Sequence, residues 1–527
     1  MSSLQNSNLN RAILNQIMLK GDYGNAYILL YSTEIDNEII NLNESDFKCN
    51  YALICALHSN NWKIIHLIFD YAEKHNIIFD MNVRDGNSSF PLLEALDKKS
   101  IELVKFIIDY ANKHNIIMDV NMKHYDGFNP FISSLASNNV DIVKLLMDYA
   151  DKTNQVLDIY SPIMSISPFY HCFLTSKPTE IIKIFIDYAE KNNNLLNVNE
   201  KSEINDQTLL VISICQGNYD RTKLIIDYAE KHNIPLDINT PDYNPFFISI
   251  MLKKFDIAQL IIDYANRNNI VLELNKMKLN GEILFLHTVV NNNIEGFRLI
   301  MKYAKEKNII LDINEKKDGK YSLLLFAIYI KNIEMIKSLL DYSKERDILI
   351  EVDAEENSPL VCAINLKNTE ILKLLFDYMV DKHIHLKLDE PKATGNSPFL
   401  VAVSKGDSEM IKLLLEYTKK SNIIIDINKK EKNDDTICLM AIETNNLESV
   451  KLIIEYAIEN NIVINLDENE IKRVFSRNDK SIADIDIEII KLLQKYEKEK
   501  QLTIQYSEPS ILREKFLSLN LSSLSIN

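Results

Sequence analysis

Only 10 of the 527 residues are glycine. Glycine-rich phosphate cradles are correspondingly absent: the chain has no Gly-x-Gly-x-x-Gly and no P-loop. It also lacks His-Glu-x-x-His and Gly-x-Ser-x-Gly, so the common metalloprotease and hydrolase signatures are missing. Cysteine is sparse, at positions 49, 55, 172, 215, 362 and 438. Cys49 and Cys55 are the only close pair and have no second pair to complete a zinc site, so reduced, buried thiols of an intracellular protein are expected. Positive charge is in deficit, with 59 Lys and Arg against 75 Asp and Glu and a net charge of -16. An acidic surface repels phosphate backbones, which argues against nucleic-acid binding and weakly favours a basic partner. Long apolar runs are missing too. The longest, such as Leu323 to Ile330, fall far short of a membrane span. The first residues carry no charged n-region or apolar h-region, so no signal peptide is read there. A cytoplasmic or nuclear location is expected.

What the chain has is a phrase, Ile-Ile-Asp-Tyr-Ala, that returns at a fixed beat. Its tyrosine falls at Tyr71, Tyr110, Tyr149, Tyr188, Tyr228, Tyr264, Tyr303, Tyr342, Tyr378, Tyr417 and Tyr456, with echoes at Tyr31 and Tyr496. Most steps are 39 residues, two are 36 and a few are 40. A period in this range means a stacked array of small units, each burying its apolar face against the next.

Residues 82 to 121 show the unit. Asp85-Gly86 suits a tight turn. A serine close to a proline opens a short helix from about Pro91 to Leu96, with the hydroxyl as cap. Asp97, Lys98 and Lys99 form a polar break, and Ser100 caps a second helix beginning at Ile101. Leu103, Val104, Ile107, Tyr110 and Ala111 share one face of it at three- and four-residue spacing. The tyrosine ring is expected at the edge of that face, stacked on the same residue of the next repeat. Asparagine sits five residues after the tyrosine in nine copies, with Asp347 and His383 in the others. With glycine scarce, asparagine is expected to take the left-handed position that ends the helix.

The unit resembles an ankyrin repeat. Asp85-Gly86, Ser397-Pro398-Phe399, Gly406, Glu370-Ile-Leu-Lys-Leu-Leu and Asp119-Val120-Asn121 match parts of that pattern. The resemblance runs from about residue 45 to 496. It departs from the family in its period, which is about 33 there, and in lacking the histidine after Thr-Pro-Leu, so that residue's hydrogen-bond network does not carry over. The excess is placed at the end of the second helix. The expected fold is all-α, an ankyrin-type helical solenoid of about twelve stacked helix pairs with short hairpin-like turns; a HEAT-type array is the runner-up. Residues 1–42 read as a degenerate capping repeat, 43–496 as the array and 497–527 as a C-terminal tail. In that tail Leu512, Phe516, Leu519 and Leu521 form a patch able to dock on the last repeat, a flexible terminus being the alternative.

His75, His114 and His232 recur at helix ends, where a cation suits the helix dipole better than a metal ladder does. Neither a metal nor a cofactor is expected, nor catalysis. The resemblance implies protein–protein recognition as a scaffold or adaptor, through turn tips and first helices; a spacer without a specific partner is the alternative. The candidate partner-binding residues are those that vary most between tips: Arg84, Lys123, His124, Tyr125, Asp242, Tyr243, Lys316, Lys317, Lys392 and Lys432. The partners expected are proteins, with no nucleic acid and no membrane, and the chain itself is read as a monomer.

Overall fold

The structure is a computed structural model. It describes residues 2–35, 38–162, 165–201, 206–241, 243–279, 282–354, 356–392, 395–477 and 479–524. The chain divides into two compact units, Met1–Asn268 and Asn269–Asn527. Each is a succession of helix pairs joined by an extended loop and a turn; apart from the opening pair, Ser2–Leu19 and Tyr23–Ile35, a short first helix is followed by a longer second one. This is the expected all-α repeat solenoid.

In the first unit, Pro91–Asp97 and Ile101–Lys113 are one such pair. Proline stands at the first helical position, where its missing N–H costs nothing. The expected hydroxyl cap holds in most repeats: Ser167 accepts from the Tyr170 N–H and Thr208 from the Val211 N–H. It fails at Pro91. Phe90 occupies the cap position there, and Ser89 instead donates its hydroxyl to Glu94 at 2.7 Å. Ser100 does cap the second helix, accepting from the Leu103 N–H. In three other second helices of this unit asparagine does that work, at Asn61, Asn139 and Asn218, while Pro178 and Lys254 stand at the start of two more without a side-chain cap.

All eleven positions five residues after the tyrosine have positive φ, from Asn76 at 55° to Asn461 at 55°, including Asp347 and His383. A second left-handed address closes each first helix. It is Asn60, Lys99, Asn138, Ser176, Gly217 and Lys253 in the first unit, and Asn292, Lys331, Lys367, Gly406 and Asn445 in the second. Glycine holds only two of these places, so several lysines carry a conformation that crowds their Cβ.

Ten of the eleven tyrosines are buried and Tyr110 is half-buried, but their role differs from the one expected. Among the described residues no ring contact joins one repeated tyrosine to the next. The phenolic oxygen instead accepts the backbone N–H of the preceding repeat's loop: Phe79 to Tyr110 at 3.0 Å, Met118 to Tyr149 at 2.9 Å and Leu157 to Tyr188 at 2.9 Å. In the second unit Leu311 donates to Tyr342 at 2.8 Å and Ile425 to Tyr456 at 2.8 Å. Tyr417 also donates its own hydroxyl to the Ile384 carbonyl at 2.7 Å. The ring face meets the histidine four residues on where one is present, as in Tyr71–His75 and Tyr110–His114, both 4.4 Å between centroids. Burial raises the Tyr110 and Tyr149 hydroxyls above their ordinary value of 10.0, so they stay neutral clasps.

A second ladder runs beside the first. Asn82 donates its side-chain amide to the Ile117 carbonyl at 2.9 Å and accepts the Asp119 N–H at 2.9 Å. Asn121 repeats this with Val156 and Asp158, at 2.7 Å for both bonds. Asn428 does so in the second unit with Val463 and Asn465. Each loop is thereby tied, backbone to side chain, to the same loop of its neighbour. Exposed ion pairs such as Lys113–Glu73 and Lys231–Glu190 add rungs between second helices, each worth little in water.

The second unit ends differently. Strand Ile464–Asp467 pairs in parallel with Leu502–Gln505. Glu468, fully buried, accepts the Ser507 and Leu512 N–H groups at 2.9 and 3.1 Å. Leu512 and Phe516 are buried, and the Gln494 amide reaches the Phe516 carbonyl at 3.1 Å. Leu521 lies among the residues whose side chains are not described.

The thiols correct one expectation. Cys55, Cys172 and Cys438 are buried, and burial pushes each up to about 12. Cys49 and Cys215 are exposed and Cys362 is half-buried: Cys49 lies in the turn ahead of Ala52–Ser59, whereas Cys215 and Cys362 sit on first helices at positions turned away from the core.

Candidate functional site

Turn tips and first helices together form the variable face of each unit. The tips close by a shared device, a backbone bond across four residues: Asp85 to Ser89, His124 to Phe128, Lys392 to Asn396 and Glu431 to Asp435. Two tips go further and form true hairpins. One pairs Lys316–Lys317 with Tyr321–Ser322 around Asp318 and Gly319, both at positive φ. The Asp-Gly there supplies the left-handed backbone such a turn needs.

In the first unit a groove of about 530 Å³ is bordered by carboxylates of Asp85, Glu94, Asp97 and Asp126, with His58 and His124 among them. Burial pushes the Asp97 carboxyl up. Burial is the largest single influence on Asp126 and raises its carboxyl, but the hydrogen bonds from His124 and the Phe128 N–H, with the His124 charge, together outweigh it and leave that carboxyl below its ordinary value. Glu94 is occupied, by the Ser89 hydroxyl at 2.7 Å and by His58 at 3.2 Å.

In the second unit a groove of about 620 Å³ lies between the first helices Leu323–Tyr329 and Pro359–Asn365. Its floor and walls are apolar: Tyr321, Leu325, Phe326, Tyr329, Val361 and Leu366. Tyr329 is 69% exposed, a large ring left in water. The Tyr321 and Phe326 rings lie 6.0 Å apart. Cys362 also lines the groove, and burial raises its thiol, which lowers the thiolate fraction at neutral pH.

The expected residues fall in different situations. Arg84 is exposed. Lys123 is exposed and reaches forward to Ser161 at 2.6 Å and Asp158 at 3.2 Å, on the following tip. His124 holds Asp126 at 2.7 Å and carries the exposed Tyr125 ring at 4.2 Å; both border the acidic groove. Tyr243 is partly exposed and has φ 50°. Lys316 pairs with Glu351 at 2.5 Å and Lys317 with Glu282 at 3.2 Å. Lys392 is not an open cation: its side chain is buried and paired with Asp353 at 2.9 Å. Lys317 and Lys392 meet at the apolar groove. Asp242 and the Lys432 side chain lie outside the described residues.

The positions that vary most between tips did not include Tyr321, Phe326 or Tyr329. The signal was available. Tyr329 ends its first helix where other repeats place Asp97, Ala136, Asn365 and Ser404.

A family model of ankyrin repeats, in three copies, matches residues 285–386 and 382–464. Residues 285–464 are ankyrin repeats. Ankyrin repeats are protein–protein interaction modules, and the apolar groove lies within this matched stretch. Helix pairs with the same tyrosine clasp and asparagine ladder recur outside it, in the first unit. The chain is also similar to the ankyrin repeat domain of Bcl-3, described as a unique member of the IkappaB protein family. Identity is 16%, the TM-score is 0.34, and the match covers 48% of this chain and 99% of that one. The search of curated proteins found no match. Among the described residues no helix is long and apolar enough to cross a membrane.

Proposed function

We propose that the chain is a protein-recognition scaffold that binds partner proteins through its turn tips and first helices. Residues 1–42 and 497–527 then close the ends of the array at 43–496, and the chain acts as a monomer in the cytoplasm or nucleus. The observation that carries this reading is the groove around Tyr329, an open aromatic-lined surface on the one face where repeats differ. The second helices and the extended loops, by contrast, are tied to one another by the tyrosine and asparagine ladders, which occupy the loops' backbone polar groups. That self-sufficiency is also what a spacer would need, so the two readings separate on partner contact.

Chemical crosslinking from lysine in native lysate, followed by peptide identification, tests it. Crosslinks to other proteins should concentrate at Lys123, Lys316 and Lys317. Reversing the charge of Lys123, Lys316 and Lys317 together should lower partner recovery. Recovery unchanged by that variant, with crosslinks spread evenly over second-helix lysines, would sink the proposal.

A further inference from the structure

The groove in the first unit is walled by carboxylates. Asp85, Glu94, Asp97 and Asp126 border it, and among the described residues no lysine or arginine lines it. Two of the four, Glu94 and Asp97, stand three residues apart on the helix Pro91–Asp97 and share a face. Glu94 is only 8% exposed. The fourth residue of the other first helices in this unit is Cys55, Ser133, His171, Ile212 or Ile248. The fold therefore does not require a carboxylate at that place, and a buried one costs stability unless it is paired. The Ser89 hydroxyl and His58 hold Glu94 by hydrogen bonds, and Lys98 stands off at 3.9 Å. Asp97, at the end of the helix, is open to water. Partial enclosure still raises its carboxyl; the Ser133 hydrogen bond opposes this, and the Glu94 charge adds to it. The Cys55 thiol, which also lines the groove, is pushed up to about 12 by burial first and then by the charges of Asp46, Asp85 and Glu94. Like charges thus meet across the groove with no lysine or arginine among them.

We infer that the first-unit groove takes a basic segment of a partner protein, seating a lysine or arginine side chain between Glu94 and Asp97. The inference rests on the recognition reading above and names the chemistry of its partner. A cationic group there relieves the repulsion between the two carboxylates and makes charge-assisted hydrogen bonds to both. Tyr125, 76% exposed on the rim, offers a ring against which the cation or its apolar stem rests. Asp85 and Asp126, on successive tips, reward further basic residues on either side. An acidic segment or a nucleic acid meets like charge here, and an apolar partner would bury Asp97 unpaired.

The test uses the full chain and a phage-displayed library of random peptides, counter-selected on the Asp97→Lys variant. Enriched peptides should be basic. A fluorescein-labelled synthetic copy should bind by anisotropy, more weakly as sodium chloride is added. It should lose about ten-fold in affinity with Asp97→Asn, and a similar factor with Glu94→Gln, which keeps the length of the side chain. A peptide carrying Glu in place of its critical basic residue should recover binding to the Asp97→Lys variant. Tyr329→Ala, in the other groove, should change nothing. Asp97 is exposed, and circular dichroism verifies that the variants fold. Enrichment of acidic or neutral peptides, or of none, would overturn the inference. So would binding that ignores Asp97→Asn or that falls with Tyr329→Ala. Each of these results leaves the broader recognition reading standing, because that reading falls only with the crosslinking experiment.

Discussion

A single hydroxyl decides what the repeated tyrosine is for. The Phe79 amide is buried against Tyr110 and has the phenolic oxygen as its acceptor at 3.0 Å. Tyr110→Phe keeps the ring and strands that N–H, which should cost about 1–3 kcal/mol and speed amide exchange at Phe79 before distant amides respond. If exchange at Phe79 is unchanged, the clasp is not what holds the loop. Burial of a tyrosine on an apolar face was legible from three- and four-residue spacing. The clasp was not, because its partner is a backbone group 31 residues upstream, and periodicity says nothing about backbone donors. The left-handed asparagines were legible, since with glycine scarce asparagine is the residue that tolerates φ near 55° best. The second such address was not legible, because lysine occupies it so often. Lys99 and Lys253 sit at φ 56°, and Lys99→Gly or Lys253→Gly should each raise stability by about 0.5–1 kcal/mol in urea titration.

At the scale of the element, helix bounds followed the sequence closely and tips did not. Proline, serine and asparagine announce helix starts by local chemistry, which is why Pro91 and Ile101 open their helices as expected. Tip side chains take their roles from the neighbouring repeat, so Lys392 pairs internally while Tyr329 stays open. The asparagine ladder belongs to this scale as well. Asn82→Ala removes one donor and one acceptor to the next loop and should cost about 1–2 kcal/mol. Asn82→Asp keeps the acceptor for the Asp119 N–H and should cost less. Equal losses in thermal denaturation for the two variants would deny the ladder its directionality.

At the scale of the whole chain, a solenoid's stability is a sum over neighbours, and its ends need closing. In the second unit residues 502–516 cover the final helices, with Glu468 as the buried acceptor of two N–H groups. Burial opposes the charge on Glu468, but the hydrogen bonds from Leu512, Ser510 and Ser507 outweigh it and lower its pKa from 4.5. A lowered folded value means the ionised group stabilises the docked segment fully above about 4.5 and loses that contribution as pH falls through the lowered value. Limited proteolysis, by an acid-active protease at low pH and a broad-specificity neutral protease at pH 7, should therefore cut near Ser507 as the pH falls below 4.5 and spare it at neutral pH. Glu468→Gln should expose the site at neutral pH, and a resistant variant would refute the role given to that carboxylate. The clasp has a last consequence. Pro91 precedes Tyr110, and Pro245 precedes Tyr264, by the same 19 positions, whereas Pro91 follows Tyr71 by 20 and Pro245 follows Tyr228 by 17. Length varies after the clasp and before the first helix, so the joint between repeats is indifferent to what is spliced between them. Foreign loops grafted at a tip such as Asp126-Gly127 should be carried without disturbing the stack, which makes the tips natural ports for engineering new specificity.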